Sequence, residues 1–180
     1  WLSVIAGTRE PDAGEVVSDG TISWPVGFAD SFHGELTGAQ NVRFIARVYG
    51  VDTEALVAFV EEFAELGEHF HLPVRSYSSG MRSRLAFGTS MGIDFDTYLV
   101  DETMAVGDAS FKAKSNAYFR DRLNRSSAII VSHGMKMLRD LCNVGAVLEN
   151  GRLYYYDDVE EAIEHHDANM KGLIDHEEDA

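Results

Sequence analysis

Residues 77–91 read Tyr-Ser-Ser-Gly-Met-Arg-Ser-Arg-Leu-Ala-Phe-Gly-Thr-Ser-Met, and two apolar strands then lead first to Asp101-Glu102 and then to His133. Ser78-Ser79-Gly80 puts hydroxyls and bare backbone N–H groups at the start of a helix that runs to about Met91. The first N–H groups of a helix have no intrahelical acceptor and sit at its positive end, so small residues there make a ready anion site. The ordinary reading of the same residues is a serine N-cap. Asp101-Glu102 directly follows a strand, at the carboxyl end where open α/β sheets place ligands. Adjacent acids in that position are most often only solvated. His133 follows a second strand, 128–131, beside Asp101-Glu102 if the strands are neighbours; its imidazole can serve a phosphate or a water. Each feature alone is weak, but all three in this order and spacing point to phosphate chemistry.

From residue 78 onward the pattern alternates: a helix to about Met91, a strand at 98–100, a helix near 111–123 and a strand at 128–131. That order predicts parallel strands joined by crossover helices. Residues 1–6 read as the end of a helix stopped by Gly7-Thr8 and Pro11, and residues 15–26 read as extended, closed by Trp24-Pro25. A loop through Gly27, Asp30 and Gly34 leads into a helical block. There Val42, Ile45 and Tyr49, then Leu56, Phe59 and Phe63, recur every three or four residues, so their aromatics, Phe44 included, are expected in the core. Near the end, 146–148 and 153–155 flank Asn150-Gly151, which suits a tight type I′ hairpin. The residues that follow form a polar, acidic helix and tail. There is no internal repeat and no low-complexity tract.

The 180 residues, 45% of them hydrophobic, suit one domain with a substantial core. A formal net charge of −15, with lysine confined to positions 112, 114, 136 and 171, excludes a broad contact with nucleic-acid phosphates and disfavours anionic lipid. The surplus acid reads as a solubilising surface. Cys142 stands alone, so it forms no internal disulfide and is expected as packing. No apolar run is long enough to span a bilayer. The chain opens at Trp1 rather than Met and contains no G-x-x-x-x-G-K-[ST] phosphate loop, so it is expected to be a fragment.

Over essentially its whole length the chain resembles the ATPases of ABC transporters, and most closely those that export capsular polysaccharide. The matching stretches are 22–25 (ISWP), 36–38 (LTG) with Asn41, 77–91 (YSSGMRSRLAFGTSM), 99–108 (LVDETMAVGD) and 131–133 (VSH). YSSGMRSRLAF stands where the usual LSGGQ signature does and looks specific to the polysaccharide-exporter branch. The resemblance implies an α/β, P-loop NTPase-like ABC ATPase domain with an inserted helical subdomain, lacking its N-terminal strands and phosphate loop. It divides the partial domain 1–180 into a helical and signature subdomain at 36–92, a Walker B and switch-histidine core at 93–157, and an acidic helix and tail at 158–180.

It also implies roles. Ser78 and Gly80 contact the γ-phosphate of ATP bound to an opposing subunit, with Ser79 and Met81 completing the motif. Asp101 is the Walker B acid on Mg²⁺, Glu102 the catalytic base, Asp108 the D-loop acid that communicates across the dimer, and His133 the switch histidine. The cofactors are ATP and Mg²⁺. The partners are a second copy of the ATPase and a transmembrane permease, the latter providing the membrane contact at the cytoplasmic face of the inner membrane, with no nucleic acid. Phe44, Tyr49 and the loop 69–73 are candidates for the permease groove.

Three departures from the family pattern stand out. The phosphate loop and the aromatic residue that stacks on adenine are absent, so the fragment alone is expected to be inactive. After Trp24 there is no Q-loop glutamine: Gln40 comes too late, and Val26 or a neighbour occupies the place. The alternatives are export of O-antigen or teichoic acid, a soluble ABC protein acting on ribosomes or DNA, and a non-catalytic partner that supplies only the signature surface.

Overall fold

The computed structural model describes residues 1–29, 32–102 and 107–178, with side chains to residue 171. Asp30 in the loop before the helical block, residues 103–106 of the LVDETMAVGD stretch and the last two residues of the acidic tail therefore lie outside the described residues. The chain forms two compact units, Trp1–Val131 and Ser132–Ala180. Their boundary falls inside the 93–157 segment.

The first unit contains α1 (Leu2–Ile5), β1 (Ile22–Pro25), α2 (Gly38–Tyr49), α3 (Thr53–Ala64), α4 (Ser79–Met91), β2 (Thr97–Asp101), α5 (Ala109–Arg122) and β3 (Ser127–Val131). Its sheet runs in the order β1-β2-β3, all parallel, as the alternation of elements requires. The β2–β3 ladder is regular from Thr97↔Ser127 to Asp101↔Val131, whereas the β1–β2 register slips between Ile22 and Pro25. The buried Ser23 hydroxyl fills that slip, accepting from the Leu99 N–H at 3.0 Å and donating to the Trp24 carbonyl at 2.6 Å. Among the described residues β3 pairs only with β2, and Ile129 and Val131 are exposed on it. The extended segment expected at 15–26 reduces to β1, preceded by a single backbone bond from the Thr97 N–H to the Thr21 carbonyl at 3.0 Å, while residues 15–20 are exposed.

The helices start where their caps dictate. Thr37 and Gln40 form a reciprocal capping box on α2, and Asp52 caps α3 by accepting from the Ala55 N–H. The buried Asn41 side chain binds the preceding loop from inside, accepting from the His33 N–H and donating to the carbonyls of His33, Leu36 and Thr37. Short 3₁₀ turns at Gly67–His71 and Val74–Ser76 connect α3 to α4. Of the expected apolar stripes, Val42, Leu56 and Phe63 are buried, Ile45 and Phe59 half-buried, and Tyr49 exposed.

Phe63 is the hub of this packing. Its ring lies 5.5 Å from Phe59, 5.9 Å from Phe87 on α4, and 5.7 and 5.2 Å from Phe111 and Tyr118 on α5. Glycine sets the spacing of α3 and α4, since a Cβ at Gly92 would collide with Leu56 and Phe59. The buried Arg122 of α5 donates to the Met91 carbonyl at 2.5 Å and pairs with Asp94, closing the far end of α4. Phe44 departs from expectation: it is 63% exposed, on the face of α2 that it shares with Val48. Tyr49 is 43% exposed at its edge while its ring packs on Trp24 and Phe95 at 4.9 and 5.5 Å.

The second unit contains α6 (Met135–Leu141), β4 (Gly145–Glu149), β5 (Arg152–Tyr156) and α7 (Val159–Glu178). The hairpin turns at Asn150 and Gly151, both with positive φ (48° and 76°), as a type I′ turn requires. Gly145 lies so close to Ala162 of α7 that no side chain fits there. Cys142 is half-buried, and burial raises its thiol pKa, in keeping with a packing role. Replacing Phe63 with alanine is expected to destabilise the fold by about 3–5 kcal/mol, read from the shift in the urea unfolding midpoint at unchanged m-value.

Candidate functional site

Ser78, Gly80, Met81 and Asp108, four of the residues singled out in the sequence, converge on an open cavity of about 450 Å³ in the first unit. Glu65, Leu66, His69, Arg84 and Gly107 complete its wall. Its floor is the start of α4. Ser78 is the N-cap and its hydroxyl accepts from the Met81 N–H at 3.2 Å, which uses a lone pair and leaves the hydroxyl proton to donate outward. Ser79 and Gly80 belong to the first turn, whose N–H groups lack intrahelical acceptors. Ser79 is exposed there but does not line the cavity. Tyr77 fixes the approach to this turn: it is buried, and its hydroxyl donates to the His69 carbonyl at 2.6 Å. Gly38 yields the space for that hydroxyl, since a Cβ would stand 2.5 Å from it.

The opposite wall is held by Asp108, the N-cap of α5. Its carboxylate accepts from the Ser110 and Phe111 N–H groups at 3.1 and 3.0 Å and from the Ser110 hydroxyl at 2.8 Å. Those donors, the Phe111 N–H first, hold its pKa below the ordinary carboxylate value. Its other oxygen accepts from Arg84 at 2.6 Å, and the Arg84 guanidinium lies over the Phe111 ring at 4.7 Å. Gly107, with φ 78°, brings the chain so close that a Cβ would stand 3.2 Å from Arg84 Nε. Arg84 and Glu65 were not singled out in the sequence as site residues. The signal for Arg84 was present: it lies four residues beyond Gly80, on the same helix face. Glu65 follows the last turn of α3, where it ends the helix.

Asp101 and Glu102 do not line this cavity. They stand exposed at the carboxyl end of β2. Glu102 takes a left-handed conformation, φ 55°, which is uncommon away from glycine, while its N–H still donates to the Val131 carbonyl at 2.7 Å. The backbone thus turns left-handed at the second acid while its N–H stays bonded to β3. The strands carrying Asp101 and preceding His133 are neighbours, as the expectation for that histidine required. His133 is itself exposed, two residues beyond β3 and in the second unit. Among the described residues no group of three or more His, Cys, Asp or Glu side chains could hold a metal ion. At the place expected for a glutamine, Val26 is 5% exposed and its N–H extends the β1–β2 pairing to the Leu99 carbonyl at 2.8 Å. Gln40 is committed to the α2 cap, where it accepts from the Thr37 N–H.

This arrangement suits an anion brought to the start of α4 from outside, with N–H and hydroxyl donors below it. A similarity search places it among known proteins. The chain is 48% identical over 166 residues, 91% of its length and 74% of the relative's, to a polysialic acid transport ATP-binding protein of Escherichia coli. It is 41% identical over 167 residues, 93% of its length and 77% of the relative's, to a capsule polysaccharide export ATP-binding protein of Neisseria meningitidis. An O-antigen export system ATP-binding protein of Klebsiella pneumoniae is more distant, at 35% over 91% of this chain and 68% of the relative. No protein-family model matches. Among solved structures, the ATP-binding subunit of an ABC transporter superposes with a TM-score of 0.70, covering 87% of this chain and 72% of that one at 16% identity, which establishes the shared fold.

Replacing Asp108 with alanine is expected to destabilise α5 above the ordinary carboxylate range. Because the folded-state pKa is lowered, the stabilisation is present above the unfolded-state pKa and fades as pH falls through the folded one. Urea unfolding of both forms across acid pH should show their difference shrinking in that direction.

Proposed function

Because the chain belongs to the ATP-binding subunits of capsule-polysaccharide ABC exporters, we propose that it supplies the ATP hydrolysis that drives a capsular glycan across the inner membrane from its cytoplasmic face. The observation that carries this reading is the convergence of Ser78, Gly80, Met81 and Asp108 on one open cavity. Helix N-termini favour negative charge, and this one adds a hydroxyl and a glycine that leaves the backbone bare. In this reading Ser78 and Gly80 grip the terminal phosphate of ATP carried by a second copy of the chain. Ser79 and Met81 complete the motif, and Asp108 senses that copy from the facing wall. The higher identity to the capsule and polysialic acid proteins than to the O-antigen protein supports a capsule-type substrate.

Chemistry falls to the end of β2. Asp101 holds Mg²⁺, and Glu102 takes the proton of the water that attacks the γ-phosphorus as the bond to the β-phosphate oxygen breaks. His133 orients that water or the phosphate. Mg²⁺, when bound, neutralises the phosphate oxygens across the transferred group. It needs only one or two carboxylates from a protein, so the exposed pair at the end of β2 would be enough to hold it.

Exporter subunits of this kind work with transmembrane components, and no helix among the described residues is long and apolar enough to cross a membrane itself. The surface assigned here to the permease is the outer face of α2, where Phe44 and Val48 are 63% and 61% exposed one turn apart. Leu72, 45% exposed, belongs to the segment that pairs with the start of that helix through Thr37 and Pro73.

In the full-length subunit, Glu102→Gln is expected to lower ATP turnover by roughly a hundredfold or more, while ATP still drives dimer formation on gel filtration. Retained turnover would remove Glu102 from the role of base. Phe44→Glu should leave turnover of the isolated subunit near wild type and abolish capsule at the cell surface; normal capsule would move the permease contact elsewhere.

A further inference from the structure

Glu65 occupies a backbone position that suits glycine. It ends α3 in the left-handed conformation, φ 53°, where a side chain is strained and helix ends favour glycine. Its carboxylate reaches cations from two other helices, Lys114 of α5 at 2.6 Å and Arg84 of α4 at 3.9 Å. Lys114 also donates to the Phe63 carbonyl in the last turn of α3, at 3.0 Å. Arg84 continues the connection to Asp108 at 2.6 Å, across the close approach that Gly107 allows. Glu65, Arg84 and Asp108 all line the cavity at the start of α4.

Stability does not account for this arrangement. The side chains of Glu65, Lys114 and Asp108 are 50%, 37% and 61% exposed, and ion pairs that open to water contribute little to folding. The left-handed backbone at Glu65 works against them. The product of the network is position. It links the end of α3, and with it the segment through Leu66 and His69, to Asp108 by way of the Arg84 guanidinium. Arg84 is the least exposed of the four, at 19%, and is clamped on the Phe111 ring.

We propose that Glu65 and Arg84 are positioning residues for ATP hydrolysis, Glu65 holding the end of α3 against Arg84, and Arg84 holding Asp108 at the distance from Ser78 and Gly80 that a bound phosphate requires. A displacement of the segment after α3 then reaches Asp108 through one guanidinium. The inference rests on the reading that the start of α4 meets ATP.

The test is steady-state ATP hydrolysis by the full-length subunit with its transmembrane partner, for Glu65→Gly, Arg84→Ala, Arg84→Lys and Ser78→Arg, with thermal unfolding measured on each. Glu65→Gly and Arg84→Ala should lower kcat roughly tenfold to a hundredfold, with KM for ATP within about twofold; the unfolding midpoint should not fall for Glu65→Gly, whose backbone strain is relieved, and Arg84→Ala should stay fully folded at the assay temperature. Arg84→Lys should recover part of the loss, because an ammonium keeps the charge without the planar fork. If Glu65→Gly and Arg84→Ala turn over within about twofold of wild type while Ser78→Arg is inactive, the positioning role alone is wrong. A fall in kcat matched by a fall in the folded fraction overturns it too. If Ser78→Arg hydrolyses ATP normally, the reading of the α4 start fails and this inference fails with it.

Discussion

The packing of the Phe63 ring against Phe87, Phe111 and Tyr118 is the constraint on which the rest of the first unit depends. One side chain near the end of α3 fixes that helix against α4 and α5 together. Because packed interiors tolerate little change of volume, the starts of α4 and α5 have little freedom to move relative to each other. Those two starts carry Ser78 and Asp108, the caps that form opposite walls of the cavity. The aromatic core thus sets the width of a polar site to which it contributes no polar atom.

A second anchor holds the acid pair. The β2–β3 ladder is regular through Asp101↔Val131, and the Glu102 N–H prolongs it by one bond after the backbone has turned left-handed. The acid pair is therefore tied to β3 through a backbone hydrogen bond rather than through its carboxylates. The first unit carries two polar surfaces of different kinds. Helix N-termini and a buffered arginine offer donors on one, and solvated carboxylates stand on the other.

Much of this was legible in the chain. Periodicity located α2 and α3, the alternation of elements gave the parallel sheet, and Asn150-Gly151 gave the hairpin, because each rests on a local rule that a single sequence displays. The serine-glycine start of α4 was legible for the same reason. Phe44 lies off the stripe of Val42, Ile45 and Tyr49, and its exposure on α2 follows that period rather than its aromatic character. What could not be read depended on neighbours distant in sequence. The sequence shows only the helix face that Arg84 shares with Gly80; its partner Asp108 lies 24 residues away and is brought beside it by α5. The short α6 carries no side-chain cap and left no mark in the sequence. The left-handed Glu65 and Glu102 were invisible because nothing in an acidic side chain announces positive φ.

The cavity at the start of α4 opens outward, so whatever fills it arrives from solvent. What opposes the approach of an anion or of a second copy is charge, a formal −15 on the chain. That repulsion reaches about 30 Å in 0.01 M salt and about 3 Å in 1 M. Dilute buffer therefore keeps the molecules apart, and concentrated salt removes that barrier.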